Sequence, residues 1–100
     1  MSFRILLAAA LGAASFSAHS QENVIARSLA ATCANCHGTE GRSVSTEVAP
    51  LAGLPKDFIV SRMKAFRDGT RPATIMQQLA RGYTDTQIEM LASYLAAQKK

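Results

Sequence analysis

Cys33-Ala34-Asn35-Cys36-His37 sets two thiols three positions apart with an imidazole directly after them. These are both of the chain's cysteines and one of its two histidines. Three chemistries use such a cluster: a redox-active dithiol, a zinc site, and a covalently attached haem. A C-x-x-C dithiol belongs beside a βαβ pattern. A closed zinc site takes four Cys/His ligands, and three residues so close in sequence cannot easily surround a tetrahedral ion. Haem attachment uses every residue. Each thiol adds across one vinyl group, two intervening residues let a helical turn reach both, and His37 is delivered under the iron. C-x-x-C-H is the specific signature of that attachment.

The N-terminus decides which compartment the thiols meet. Arg4 precedes Ile5 to Ala14, a stretch of ten apolar or small residues, and Ser15 to Ser20 is a small-residue region. That is the layout of a secretory signal peptide over residues 1–20, with the cut placed between Ser20 and Gln21. Ten residues are too short to span a membrane, which takes roughly 20. The expected domain is then 21–100, with His37 as its remaining histidine. Its ten Lys/Arg against seven Asp/Glu leave a mild +3, spread along the chain. No basic run points to nucleic acid. Export exposes the thiols to an oxidising setting, yet a disulfide closing so short a loop would restrain the unfolded chain little. Eighty residues also make a thin core that gains from a cofactor.

The elements that must position the motif read as helices. Residues 23–35 form the first, with Val24, Ile25, Ser28, Leu29 and Thr32 on one face. Gly38 to Pro55 is loop, with three Gly, two Pro and four Ser/Thr. Pro55 opens a second helix in which Ile59, Met63 and Phe66 share a face and Gly69 marks the stop. Pro72 opens a short third helix through Leu79, closed near Gly82. Thr84-Asp85-Thr86-Gln87 matches a capping box, and Ile88, Leu91 and Leu95 follow at i, i+3, i+7. Lys99 and Lys100 suit that helix's C-terminal dipole. No segment alternates with period two. The expected fold is all-α, about four helices with long loops, which removes the dithiol's sheet and leaves haem c.

With those elements in place a family resemblance is clear. "LAATCANCHG", the helix–loop–helix middle and "YTDTQIEMLASYLAAQ" resemble a class I cytochrome c over nearly all of Val24 to Gln98. Within that class, "LAGLPKDF", "AFRDGTRPATIM" and "LARGYTDTQIEMLASYLAAQ" are similar to the cytochrome subunit of flavocytochrome c sulfide dehydrogenase, and to cytochrome c4 and c5-like carriers. The resemblance implies one haem c on Cys33 and Cys36, with iron bound axially by His37 and a methionine. Met63 falls on the Ile59/Met63/Phe66 face and reads as core; Met90, beside Leu91 and four before Tyr94, also reads as packing. Met76 stands where the family places its ligand, 39 residues past His37, and is left by elimination.

The family also orients the ligand imidazole on a Pro carbonyl in the loop after the motif. Here "VAPLAG" has Ala49 where relatives often carry that Pro, so either the Ala49 or the Pro50 carbonyl can be the acceptor. Ala26 stands seven before Cys33 where the family commonly has Gly, which implies a looser contact with Tyr94.

Two axial ligands leave no open iron position, which argues for carrying electrons rather than transforming molecules. The resemblance implies a periplasmic monohaem cytochrome, the electron-accepting, non-catalytic haem subunit of a flavoprotein sulfide dehydrogenase. A freestanding carrier for another dehydrogenase or an oxidase is the alternative, with Lys56, Lys64 and Arg71 able to steer docking. A haem enzyme or gas sensor ranks behind both. No permanent membrane span and no nucleic acid is expected.

Overall fold

Thr84 decides where the last helix begins. Its hydroxyl accepts from the Gln87 backbone N–H at 3.2 Å, and Gln87 Oε1 accepts from the Thr84 backbone N–H at 2.9 Å. Both donors would otherwise be orphans of the first turn. The computed structural model describes residues 23–100; the expected leader and its cut after Ser20 lie outside the described residues. Five α-helices follow in order: α1 over 23–31, α2 over Ala34–His37, α3 over Lys56–Asp68, α4 over Met76–Ala80 and α5 over Asp85–Ala96. A 3₁₀ turn, Thr39–Gly41, follows α2. No strand occurs among the described residues, so the all-α expectation holds, with the motif itself supplying the fifth helix. No helix among them is long and apolar enough to cross a membrane.

Helix α5 buries Ile88, Leu91, Ala92 and Leu95, one stripe at i, i+3, i+4, i+7. Helix α3 buries Ile59, Val60 and Met63 against it, so Met63 is a core residue as the sequence implied. Each large aliphatic side chain removed from water contributes about 1.5–3 kcal/mol. Pro55, at φ −56°, stands just before α3, and Gly69, at φ +78°, ends it in the left-handed conformation that lacks a Cβ penalty. Ala80 at the end of α4 and Ala30 near the end of α1 complete the cluster.

Four expectations fail in detail. The first helix tightens before its expected end at Asn35. The Cys33 N–H bonds to Ala30 O, an i→i−3 contact, and Thr32 Oγ1 donates back to Leu29 O at 2.8 Å. Such back-bonding competes with the helical ladder. Its buried face also differs. Val24 and Ile25 are exposed, while Ala30 is buried and Ala26, Leu29 and Cys33 are half-buried. Small residues let α1 approach closely, and the large aliphatics stay outside. Helix α4 starts at Met76 rather than Pro72: Ile75 sits at φ −125°, off the helical basin, and Gln77 Nε2 donates to Arg71 O at 3.2 Å. Finally, α5 ends at Ala96 with no basic residue in its last turn, so Lys99 and Lys100 lie past the dipole they were expected to complement.

Two ion pairs cross from α3 to the start and middle of α5: Arg67 Nη1 to Asp85 Oδ1 at 2.7 Å and Lys56 Nζ to Glu89 Oε2 at 3.0 Å. The hydrogen bond and charge of Arg67, with help from Lys64, hold the Asp85 carboxyl below the usual carboxylate range. A depressed folded value gives stability that is present above about pH 4, the unfolded aspartate value, and lost as pH falls through the folded one. The group is exposed, so the effect is small.

Removing the cap tests the weight of this local logic. Thr84→Ala loses the hydroxyl that accepts the Gln87 N–H and should lower unfolding stability by about 1 kcal/mol. Denaturant unfolding of the two proteins under one buffer measures it; an unchanged midpoint would show that packing alone places the helix.

Candidate functional site

Helix α2 is a single turn built from the motif. The His37 N–H donates to Cys33 O at 2.9 Å, and the Cys36 N–H reaches the same carbonyl at 3.3 Å. One turn therefore carries both thiols and the imidazole. Cys33 is half-buried and Cys36 is exposed, and neither is in a disulfide. Burial pushes the Cys33 thiol up; the neighbouring Thr32 side chain partly offsets this, and Cys36 adds to the rise.

The imidazole is fixed from behind. His37 Nδ1 lies 2.7 Å from Ala49 O. A carbonyl only accepts, so Nδ1 carries the proton and donates, and Nε2 is left with a free lone pair. That is the arrangement of a metal-binding imidazole held by an outer hydrogen bond. Of the two candidate carbonyls, Ala49 is the acceptor.

Backbone geometry brings Ala49 there. Gly38 ends α2 at φ +84°, ψ +163°, a region open essentially to glycine. A Cβ at Gly38 would lie 2.2 Å from Arg42 O, so the chain folds back tightly against its own turn. Gly41 O then accepts from both Leu51 N and Ala52 N, at 2.8 and 3.1 Å, and Leu95 O accepts from Gly53 N at 3.0 Å. The loop is pinned on both sides of the stretch that starts at Ala49. The role of Gly38 was not read from the sequence, where it was one loop glycine of three. Its signal was its place directly after the motif histidine.

Met76 stands apart from the turn, as the first residue of α4, half-buried against the core cluster. Met90 is half-buried on α5. A hydrogen bond links the two halves: Thr32 Oγ1 and Tyr83 Oη are 2.6 Å apart. Sequence reasoning missed this pair, since nothing in the spacing of 51 residues reveals it.

Among the described residues, no three His, Cys, Asp or Glu side chains gather to hold an ion directly. The haem reading fits the donor set on that turn: two thiols and an oriented imidazole. It also fits the apolar surface. Leu51, Leu54, Phe66 and Met76 are only partly covered. Among the described residues the largest fully buried side chains are Ile88, Leu91 and Leu95, a short core.

The return of the chain at Gly38 is open to test. Gly38→Ala forces a glycine-only conformation and a clash with the Arg42 carbonyl, and should cost at least about 2 kcal/mol. Chemical unfolding of the variant measures it, with a loss under about 0.5 kcal/mol showing that the turn can relax.

A sequence profile of the cytochrome c family matches residues 24–99. The chain is 36% identical over 66 residues to the cytochrome subunit of sulfide dehydrogenase of Chlorobaculum tepidum, covering 66% of this chain and 59% of that one. It is 35% identical over 71 residues to cytochrome c-554(548) of Halomonas halodenitrificans, covering 68% and 86%. Its fold superposes on a solved cytochrome c4 of Acidithiobacillus ferrooxidans with a TM-score of 0.62 at 34% identity, over 65% of this chain and 37% of that one. The chain thus spans about three fifths of the sulfide dehydrogenase subunit it matches. A motif turn with an oriented histidine, an all-helical frame and a profile covering most of the length converge: the chain belongs to the cytochrome c family, whose members carry covalently bound haem c.

Proposed function

We propose that this chain is a monohaem electron carrier. Cys33 and Cys36 would hold haem c through thioethers, and His37 and Met76 would supply ligands to its iron. The observation that carries the reading is the 2.7 Å contact from His37 Nδ1 to Ala49 O, which presents Nε2 as a ligand from the turn that holds both thiols. Bound there, the haem supplies a one-electron iron couple. The Ala49 carbonyl keeps the imidazole in one tautomer and one orientation. The Met76 thioether favours the electron-rich state and raises the potential. With His37 and Met76 both serving as ligands, no iron position would stay open for a substrate, which favours a carrier over a haem enzyme or gas sensor.

The partner reading rests on the likeness to the sulfide dehydrogenase cytochrome subunit. We propose an exported chain, cleaved near Ser20 and working in the periplasm, that takes electrons singly from a flavoprotein oxidising sulfide. A two-electron flavin needs such a one-electron outlet. The leader-like pattern of residues 1–20 supports export. The exposed surface supports docking. Phe58, Ile75 and Leu79 are exposed apolar side chains, and Arg62 and Arg71 lie over the Phe58 and Phe66 rings at 4.8 and 5.8 Å. Apolar contact with a cationic rim suits an acidic redox partner. A freestanding carrier is the second reading, favoured by the near-complete coverage of the Halomonas cytochrome, 86% of its length.

The haem and its ligands come first. Acid–acetone extraction should leave haem on the protein at one per chain by pyridine haemochrome, and Cys33→Ser with Cys36→Ser should abolish it. Met76→Ala should remove the weak near-infrared sulfur–iron band of the oxidised protein and lower the potential by on the order of 100 mV. Met63→Ala should keep the band and lose roughly 2–5 kcal/mol of stability. A band lost from Met63→Ala and kept in Met76→Ala would move the ligand.

The partner is tested by stopped-flow reduction with sulfide, with and without the candidate flavoprotein. Faster reduction with it, slowing as salt rises, is the expected result for steered docking. Co-elution of a flavin with salt-independent rates would mark a permanent complex instead. Equal rates and no co-elution would leave the freestanding carrier.

A further inference from the structure

We propose that the Tyr83 hydroxyl is a positioning group that latches the Met76-bearing segment to the haem-attachment turn and so controls access to the sixth iron position. The inference rests on Met76 as the axial ligand. Its geometry begins at Thr32, the residue before Cys33. Thr32 Oγ1 donates its one proton to Leu29 O at 2.8 Å. The 2.6 Å contact with Tyr83 must therefore run from the tyrosine O–H to the threonine oxygen. Thr32 is thus fixed from α1, and its oxygen is aimed outward as an acceptor. The adjacent residue, Cys33, offers the carbonyl on which the Cys36 and His37 N–H groups close. Anything holding Thr32 holds the origin of the motif turn.

Tyr83 is fixed from the other end. Its N–H donates to Ala80 O at 3.3 Å, and the Gly82 N–H donates to Leu79 O at 3.1 Å. Arg67 Nη1 reaches the Tyr83 carbonyl at 3.5 Å while gripping Asp85 at 2.7 Å. The tyrosine ring is half-buried against the core cluster, and Ala80 is fully buried in it. Helix α4 is only Met76–Ala80. Met76 is therefore separated from the latch by one short helix and a closed turn. Upstream of Met76 the chain is irregular, with Ile75 off the helical basin and Gln77 borrowing the Arg71 carbonyl. Of the two ends of this segment, the Tyr83 end ties directly to the attachment turn.

A segment that carries a ligand must swing away before another ligand can replace it. An incoming ligand then binds with an apparent affinity set by the fraction of open molecules. Breaking the latch raises that fraction without touching either axial residue. A packing role alone would lower stability and leave that equilibrium where it was.

The test is imidazole binding to the oxidised holoprotein, followed by loss of the near-infrared sulfur–iron band. Tyr83→Phe keeps the ring and removes the hydroxyl; it should tighten apparent imidazole binding about two- to tenfold, the worth of one hydrogen bond. Thr32→Val should do the same. The double variant should add no more than about twofold to either single, since both remove one interaction. Thr32→Ser restores the acceptor and should return binding to the parent value. Tyr83→Phe and Thr32→Val that melt at lower temperature yet bind imidazole as the parent does would overturn the latch. Met76→Ala separates the two levels of failure: a band that survives in it overturns the ligand assignment and this inference together, whereas a band that vanishes there, with unchanged imidazole binding in the latch variants, overturns the latch alone.

Discussion

The hydrogen bond from His37 Nδ1 to the Ala49 carbonyl sets what the rest of the chain must do. It is short, at 2.7 Å, and its acceptor belongs to backbone, so no side chain can be tuned to improve it. The loop must instead deliver one carbonyl to one place. Three backbone features accomplish that. Gly38 reverses the chain in a conformation only glycine holds, Gly41 O takes two loop N–H groups, and Leu95 O takes the Gly53 N–H. The last of these reaches into α5, so the helix with the firmest cap also fixes the path of the loop. An imidazole's orientation is thereby made to depend on a helix more than fifty residues away in sequence.

Hydrophobic burial serves the same end from the opposite side. The core joins α3, α4 and α5 with Ala30 from α1, and its largest fully buried side chains come from α5 alone. Among the described residues, four of the ten buried hydrophobics are alanines, which bring backbones close but bury little area each. Leu51, Leu54, Phe66 and Met76 are left half-covered beside that cluster. A domain that leaves so much apolar surface half-finished is built around something further, and the family's covalent haem answers in character.

Much of this was legible from residue types alone, and the reason is locality. The motif turn, the Thr84–Gln87 box and the Gly69 stop are decided by residues within four positions of one another. So are the Met63 and Leu91 faces. The misreadings share the opposite property. Val24 and Ile25 suggested a buried face on α1, but the partner surface accepts alanine there, and only the facing helix can say so. Pro72 suggested a helix start, but Gln77 and Arg71 settle the backbone across several irregular residues. The choice between Ala49 and Pro50 turned on where Gly38 and Gly41 send the loop. The Thr32–Tyr83 bond joins residues 51 apart, which no window along the chain can see.

The charged groups divide along the same line. Arg67 with Asp85, and Lys56 with Glu89, bridge α3 to α5, so these opposite charges are spent on the structural seam. Arg62 and Arg71 instead lie over Phe58 and Phe66. A guanidinium stacked on an aromatic face keeps its donors directed outward and loses little hydration. Its charge therefore stays available at the surface, beside Phe58 and Phe66. Pairing these arginines internally would have neutralised that charge and added little stability, because exposed ion pairs contribute about 0–1 kcal/mol. The arrangement separates two demands that compete in so small a domain: one set of charges aligns the helices, and the other remains on the surface where a redox partner could meet it.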